Sequence, residues 1–315
     1  MQRRELLKWM AVGGGAAAAP AWAWPMVQSQ APGHHLIVLF LRGGADGLSL
    51  VPPLGEPRYF DLRPQLATAE SDALILDSFF GLHPAAGALK TLFDAGDVAI
   101  VHACGLATAE RSHFEAQAVM ELGMDAGEVA GGDGWLARYL TTLNDGMPLA
   151  AVALDHATPV SMAGLDSALA IGQIDGFNLS LDGKSRDVFE ALYRLDPLLH
   201  PTAQSVFRAV DALGPVQQSA PGSGYPDTDL GVSLSDAARL IKSGVGLHAA
   251  AVNTGGWDTH EGQIEDFGGL VSNLGGALLA FRNDLGLHWQ DTTVVVQTEF
   301  GRRVAQNASG GTDHG

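Results

Sequence analysis

The sequence predicts an α/β fold built on a mainly parallel sheet. Two observations carry this. Short, almost wholly apolar runs recur along the chain, and segments with helical spacing separate them. A strand covered by helices on both faces has no solvent side, so it reads as a continuous apolar run rather than an alternating one. Strands that alternate with helices are the pattern of a parallel sheet.

The predicted strands are residues 36–41, 98–104, 149–154, 247–252 and 292–297. The predicted helices are 84–95, 113–122, 135–143, 187–193, 235–242 and 264–285. Ser233 or Ser235 is placed to cap the fifth helix, and Gly244 to stop it. Residues 214–229, rich in Pro, Ser and Gly, predict a loop inside the domain. No internal repeat is visible.

Residues 1–24 read as an export address. Arg3, Arg4 and Lys8 form a basic head, an uncharged Ala- and Gly-rich middle follows, and Ala21-Trp22-Ala23 offers an exit of the A-x-A kind. The paired arginines make the signal a twin-arginine type. The middle is short and glycine-rich for a bilayer span. No later stretch is apolar enough to cross a membrane, so a soluble mature protein in the periplasm or beyond is expected, with the twin-arginine machinery as a partner. The chain has 18 basic and 35 acidic side chains, net −17. Losing residues 1–24 removes three basic groups and one acidic group, which leaves −19. That excess argues against nucleic acid or anionic lipid as the main partner. The single cysteine, Cys104, excludes an internal disulfide. It lies in an apolar run and predicts a small buried hydrophobe. The chain ends on Gly311-Thr312-Asp313-His314-Gly315, unlike a finished domain edge, and is expected to lack a C-terminal part.

In open α/β sheets ligands bind beyond the carboxyl ends of the strands. Arg42-Gly43-Gly44-Ala45-Asp46-Gly47 follows the first strand, where Asp46 is either a turn residue or a metal ligand. Arg111-Ser112-His113-Phe114 opens a helix. Ser112 is there either a helix cap or a hydroxyl in the positive field of a helix terminus. His113 suits a base, a ligand or a packing role. Gly255-Gly256-Trp257-Asp258-Thr259-His260 offers an aspartate and a histidine that can reach one ion from a single loop. Glu299 ends the last strand, and Arg302 or Arg303 beyond it can hold an oxyanion or pair with Glu299. Asp313 and His314 sit in a final glycine-rich loop. His102, inside a strand run, predicts a satisfied buried histidine. Polar residues gathered at one sheet edge are the strongest functional signal in the chain.

These motifs, with the twin-arginine start, resemble the exported bacterial family known as domain of unknown function 1501, over essentially the whole chain. That family is grouped with the alkaline phosphatase and sulfatase superfamily, and its members usually continue past the Thr-Asp-His-Gly loop. The resemblance implies a three-layer αβα sandwich, a two-metal site and hydrolysis of phosphate- or sulfate-type esters, small or polymeric; with the departures below, one or two divalent ions (Zn, Mn, Ca or Mg) are expected. Carried over, Asp46, Asp258, His260, Glu299, Asp313 and His314 hold metal, and Ser112 is the nucleophile. Arg111 or Arg302 is then expected to neutralise the remaining oxyanion charge. Two registers compete, because the superfamily's Asp-His-Gly aligns either with Asp313-His314-Gly315 or with Glu299-Phe300-Gly301. The second keeps the motif directly after a strand. Asp258 and His260 stand closer together than the superfamily pair, and Ser112 lacks the Cys-x-Pro-x-Arg surroundings of a formylglycine sulfatase. An exported binding or assembly protein that keeps the fold without catalysis is the rival expectation.

Overall fold

A computed structural model describes residues 33–107, 109–124, 132–143, 146–177 and 183–315. The export segment, residues 1–24, lies outside the described residues. β1 (His35–Leu41) is the hub of a five-stranded sheet. It lies between β6 (Ala249–Thr254) and β7 (Thr292–Gln297); beyond β6 come β4 (Ala151–Ala153) and β5 (Leu169–Ala170). Every pairing in this sheet is parallel. Leu39 of β1 faces Val252 of β6 and Val296 of β7, so all three strands end nearly level. A separate antiparallel pair joins β2 (Leu74–Ile75) to β3 (Gly81–Leu82).

Alternation along β1 sorts its side chains between two cores, as the two-residue period of a strand requires. Ile37, Leu39 and Leu41 enter the larger core with Val252 and the buried faces of α3 (Gly87–Asp94), α8 (Asp229–Lys242) and α9 (Gln263–Leu285). Val38 enters the smaller core on the other face. There Ala151, Ala153, Ala249 and Ala251 present only methyl groups, which lets Leu136 and Leu140 of α5 (Trp135–Thr141) lie close to the sheet. Each fully buried Leu or Phe contributes roughly 1.5–3 kcal/mol of transfer free energy. No described helix is long and apolar enough to cross a membrane.

α8 begins with Thr228, not a serine, as its cap: the threonine hydroxyl accepts the Gly231 N–H at 3.2 Å. It stops where Gly244 takes φ +63°. Four readings are corrected: the strand at 98–104, the burial of His102 and of Cys104, and the start of the loop at 214–229. Residues 98–104 form no strand. Val98 and Ile100 lean on the larger core, but Val101 is 73% exposed and both His102 and Cys104 face solvent. His102 stacks on Phe80 rather than being buried. A run of apolar residues therefore covers the flank of the core here without joining the sheet. The expected loop at 214–229 starts late. α7 (His200–Gln217) follows α6 (Gly183–Arg194) and carries Gly214 and Pro215 inside it, because Leu213 and Val216 are fully buried.

Candidate metal centre

The loops after β1, β6 and β7 leave the sheet at one edge, and α4 (His113–Leu122) starts beside them. What joins them is Glu299, directly after Thr298 at the end of β7. Its carboxylate is 1% exposed. It accepts the N–H groups of Gly43 and Gly44 at 2.9 Å, the Gln117 amide at 2.7 Å and the Thr298 hydroxyl at 2.9 Å. His113 Nδ1 lies 2.8 Å from the same carboxylate. Burial pushes the Glu299 pKa up. The hydrogen bonds from Gln117, backbone N–H groups and His113 outweigh it and hold the group at about 2.

An ionised carboxylate only accepts, so His113 donates from Nδ1 and, as a neutral ring, presents a lone pair at Nε2. That Nε2 is buried and has no hydrogen-bond partner. His314 is oriented the same way. Its Nδ1 lies 2.8 Å from the Arg111 carbonyl, which also only accepts, so the His314 lone pair sits on Nε2 and faces inward, where His260 Nε2 meets it. Both inward nitrogens lie 3.4 Å from the Asp258 carboxylate. His260 completes the cluster, with Nε2 at 2.8 Å from His314 Nε2 and 3.0 Å from Asp258 Oδ1. Phe300 packs against both His113 and His314, with ring centroids 4.8 and 4.6 Å away.

These residues fit a metal ion. One ligand atom each from His113, Asp258 and His314 lies within 4.8 Å of the others. Ligand histidines characteristically give their second N–H to a carboxylate or a backbone carbonyl, which fixes the tautomer. Glu299 does this for His113, and Arg111 does it for His314. Burial raises the Asp258 pKa, but the Arg302 guanidinium, then His260 and His113, hold it below the ordinary value. The carboxylate is therefore ready to ligate.

The predicted residues divide into two groups. Asp258, His260 and His314 meet in the cluster, and Asp313 borders it with Oδ1 at 3.5 Å from His260 Nδ1. Glu299 lies behind the cluster, its oxygens taken up by the donors named above. Asp46 is 0% exposed and faces elsewhere. It accepts from both terminal nitrogens of Arg63 at 2.6 and 3.1 Å, from Ser49 Oγ at 2.7 Å and from Gln263 at 2.6 Å. Arg302 is also buried. It donates to the carbonyls of Gly43, Gly44, Trp257 and Thr312 and to Asp258 Oδ1 at 2.5 Å, so it pins the loops and aims Asp258. Arg111 is exposed. Ser112 occupies the cap position of α4, yet its hydroxyl makes no capping bond.

Residues 202–315 match one family model, described as Protein of unknown function (DUF1501). No curated protein and no solved structure matches the chain. The DUF1501 match runs from α7 to the last loop and so takes in Asp258, His260, Glu299, Arg302, Asp313 and His314. Asp46, Ser112 and His113 lie before it.

Within this arrangement His113 is the member of the cluster that the sequence left open between a base, a ligand and a packing role. A histidine on a helix carries no glycine-rich loop to mark it, and its selector, Glu299, is 186 residues away. Arg63, Gln117 and Gln263 were not singled out, and no local motif flags them. Gly43 had a signal, the Gly-Gly turn. Its φ is +121°, and a Cβ there would lie 2.5 Å from the Asp258 backbone nitrogen. Gly43→Ala is expected to cost about 1–3 kcal/mol through strain and displacement of the Asp258 loop. A thermal melt of the purified variant with an unchanged midpoint would contradict this.

Proposed function

We propose that this chain is an exported, metal-dependent hydrolase of phosphate- or sulfate-type esters, on an alkaline-phosphatase-like three-layer sandwich. The observation that carries the reading is the convergence of His113, Asp258 and His314 at the carboxyl edge of the sheet; Ser112, whose hydroxyl makes no capping bond, immediately precedes His113 in the chain. The helices on both faces of the parallel sheet support the architecture. His113, Asp258 and His314 would hold the ion; His260 and Asp313 line the cluster. When bound, a divalent ion supplies Lewis-acid polarisation of an ester oxygen and a lowered pKa for the attacking group. Ser112 Oγ is the nucleophile. Arg111, exposed and next to it, meets the anionic ester. Glu299 keeps the Nδ1 proton on His113, and Arg302 fixes the direction of Asp258. Residues 1–24 would take the protein to the periplasm or beyond.

The test is a screen of phosphomonoesters, phosphodiesters and sulfate esters with the full chain and different divalent ions, repeated with Ser112→Ala. Turnover should appear for one ester class and vanish in the variant while the metal stays bound. Turnover that survives Ser112→Ala would remove the serine from this role. One observation favours the rival reading of an exported binding or assembly protein. α6 buries none of its side chains, and Leu195 and Leu198 just beyond it are 81% and 86% exposed. A stable protein that takes up no metal would support that rival.

A further inference from the structure

We infer that the sheet edge holds one metal ion per chain rather than two, and that it selects a nitrogen-preferring transition metal such as Zn over Mg or Ca. The inference rests on the metal reading of the proposed function and sharpens it. Two arguments support it, one from the converging ligands and one from the occupied carboxylates.

The set that converges is rich in nitrogen. Two of its three groups are imidazoles with Nε2 turned inward, and the third is the Asp258 carboxylate, whose Oδ1 meets Arg302 while Oδ2 faces His113. Imidazole suits Zn and other first-row transition metals, whereas Mg and Ca prefer all-oxygen shells. Three protein ligands also leave a position open for water or substrate, as in catalytic rather than structural sites.

The occupied set is the reason for a single ion. The buried carboxylates that could serve a second ion at the strand ends are Asp46 and Glu299. A carboxylate has about four lone-pair positions. Around Asp46 they are met by Arg63, Ser49, Gln263 and the Leu48 N–H, and the Arg63 cation already balances its charge. Around Glu299 they are met by Gly43, Gly44, Gln117, Thr298 and His113. Arg63 thus stands where a second cation would be needed. Among the described residues no second group of three such ligands converges.

The experiment strips the full-length protein with a chelator and titrates it with Zn2+, Mn2+, Mg2+ and Ca2+ separately, reading stoichiometry by elemental analysis and affinity by calorimetry. The expected result is one Zn2+ per chain, bound more tightly than Mn2+ and not displaced by about a hundredfold excess of Mg2+ or Ca2+. His113→Ala and His314→Ala, checked for folding by circular dichroism, should each weaken binding by more than about tenfold. Asp46→Asn should leave the count at one. Two ions per chain, equal competition by Mg2+ or Ca2+, or loss of an ion in a folded Asp46→Asn would overturn the inference while leaving metal-dependent hydrolysis intact. Uptake of no ion at all would overturn both.

Discussion

Arg63→Ala is expected to destabilise the protein by about 3–5 kcal/mol, because it leaves a buried carboxylate without its cation. The Arg63 side chain is 0% exposed and that of Asp46 1%, with 2.6 Å between them. Arg63 also donates to the carbonyls of Val304 and Arg303 at 2.7 and 2.9 Å, so the truncation strands two further acceptors. Ser49 and Gln263 would still contact Asp46, but neither carries charge. Removing both charges, with Asp46→Asn added to Arg63→Met, should recover part of the loss: the uncompensated ion is gone, while the carbonyls of Val304 and Arg303 stay unpaired. Urea unfolding at neutral pH of the parent, the single variant and the double variant measures both effects. A single variant that unfolds at the parent's midpoint would show that water reaches Asp46.

That ion pair also marks a limit of the sequence. β1, β4 and β6 were visible because residues buried on both faces leave a continuous apolar run, and 36–41 and 247–252 are such runs; β7, at the end of the sheet, was visible from Val294, Val295 and Val296 although it is partly exposed. The run at 98–104 looks the same in one dimension. Whether such a run joins a sheet depends on a free edge at the right place, and that is a property of the assembled chain. α7 stayed hidden for the opposite reason. Pro201, Gly214 and Pro215 suggest breaks, but tertiary burial of Phe207, Leu213 and Val216 overrides local propensity.

The site divides in the same way. Asp258, His260 and His314 were readable because each follows a glycine turn near a strand end, where the chain must deliver polar groups to an edge. The roles of Asp46, Glu299 and Arg302 depend on partners far away in the chain. Asp46 meets Arg63 and Gln263, and Glu299 meets α4. Arg302 gathers carbonyls from three loops. A carboxylate at a strand end looks the same in sequence whether it faces a metal or a guanidinium.

Glu299→Gln tests the centre from behind. The amide retains one acceptor oxygen where the carboxylate had two, and it adds donors that would face the N–H groups of Gly43 and Gly44. His113 would then share the one remaining oxygen with Gln117, Gly43 and Gly44, a weaker hold on the Nδ1 proton that leaves the Nε2 lone pair present only part of the time. Loss of such an orienting partner typically weakens a metal site by about 10–100-fold. His113→Ala removes the ligand itself and should weaken binding further, although it leaves Glu299 with Gln117, Gly43 and Gly44 as donors. Zn2+ affinity, measured by competition with a chromophoric chelator, should therefore fall in the order parent, Glu299→Gln, His113→Ala. If Glu299→Gln held the ion as tightly as the parent, the imidazole would not need the carboxylate to orient it. Glu299 would then serve only to pin the Gly43–Gly44 turn to β7, a role that unfolding measurements on the same variant would still detect.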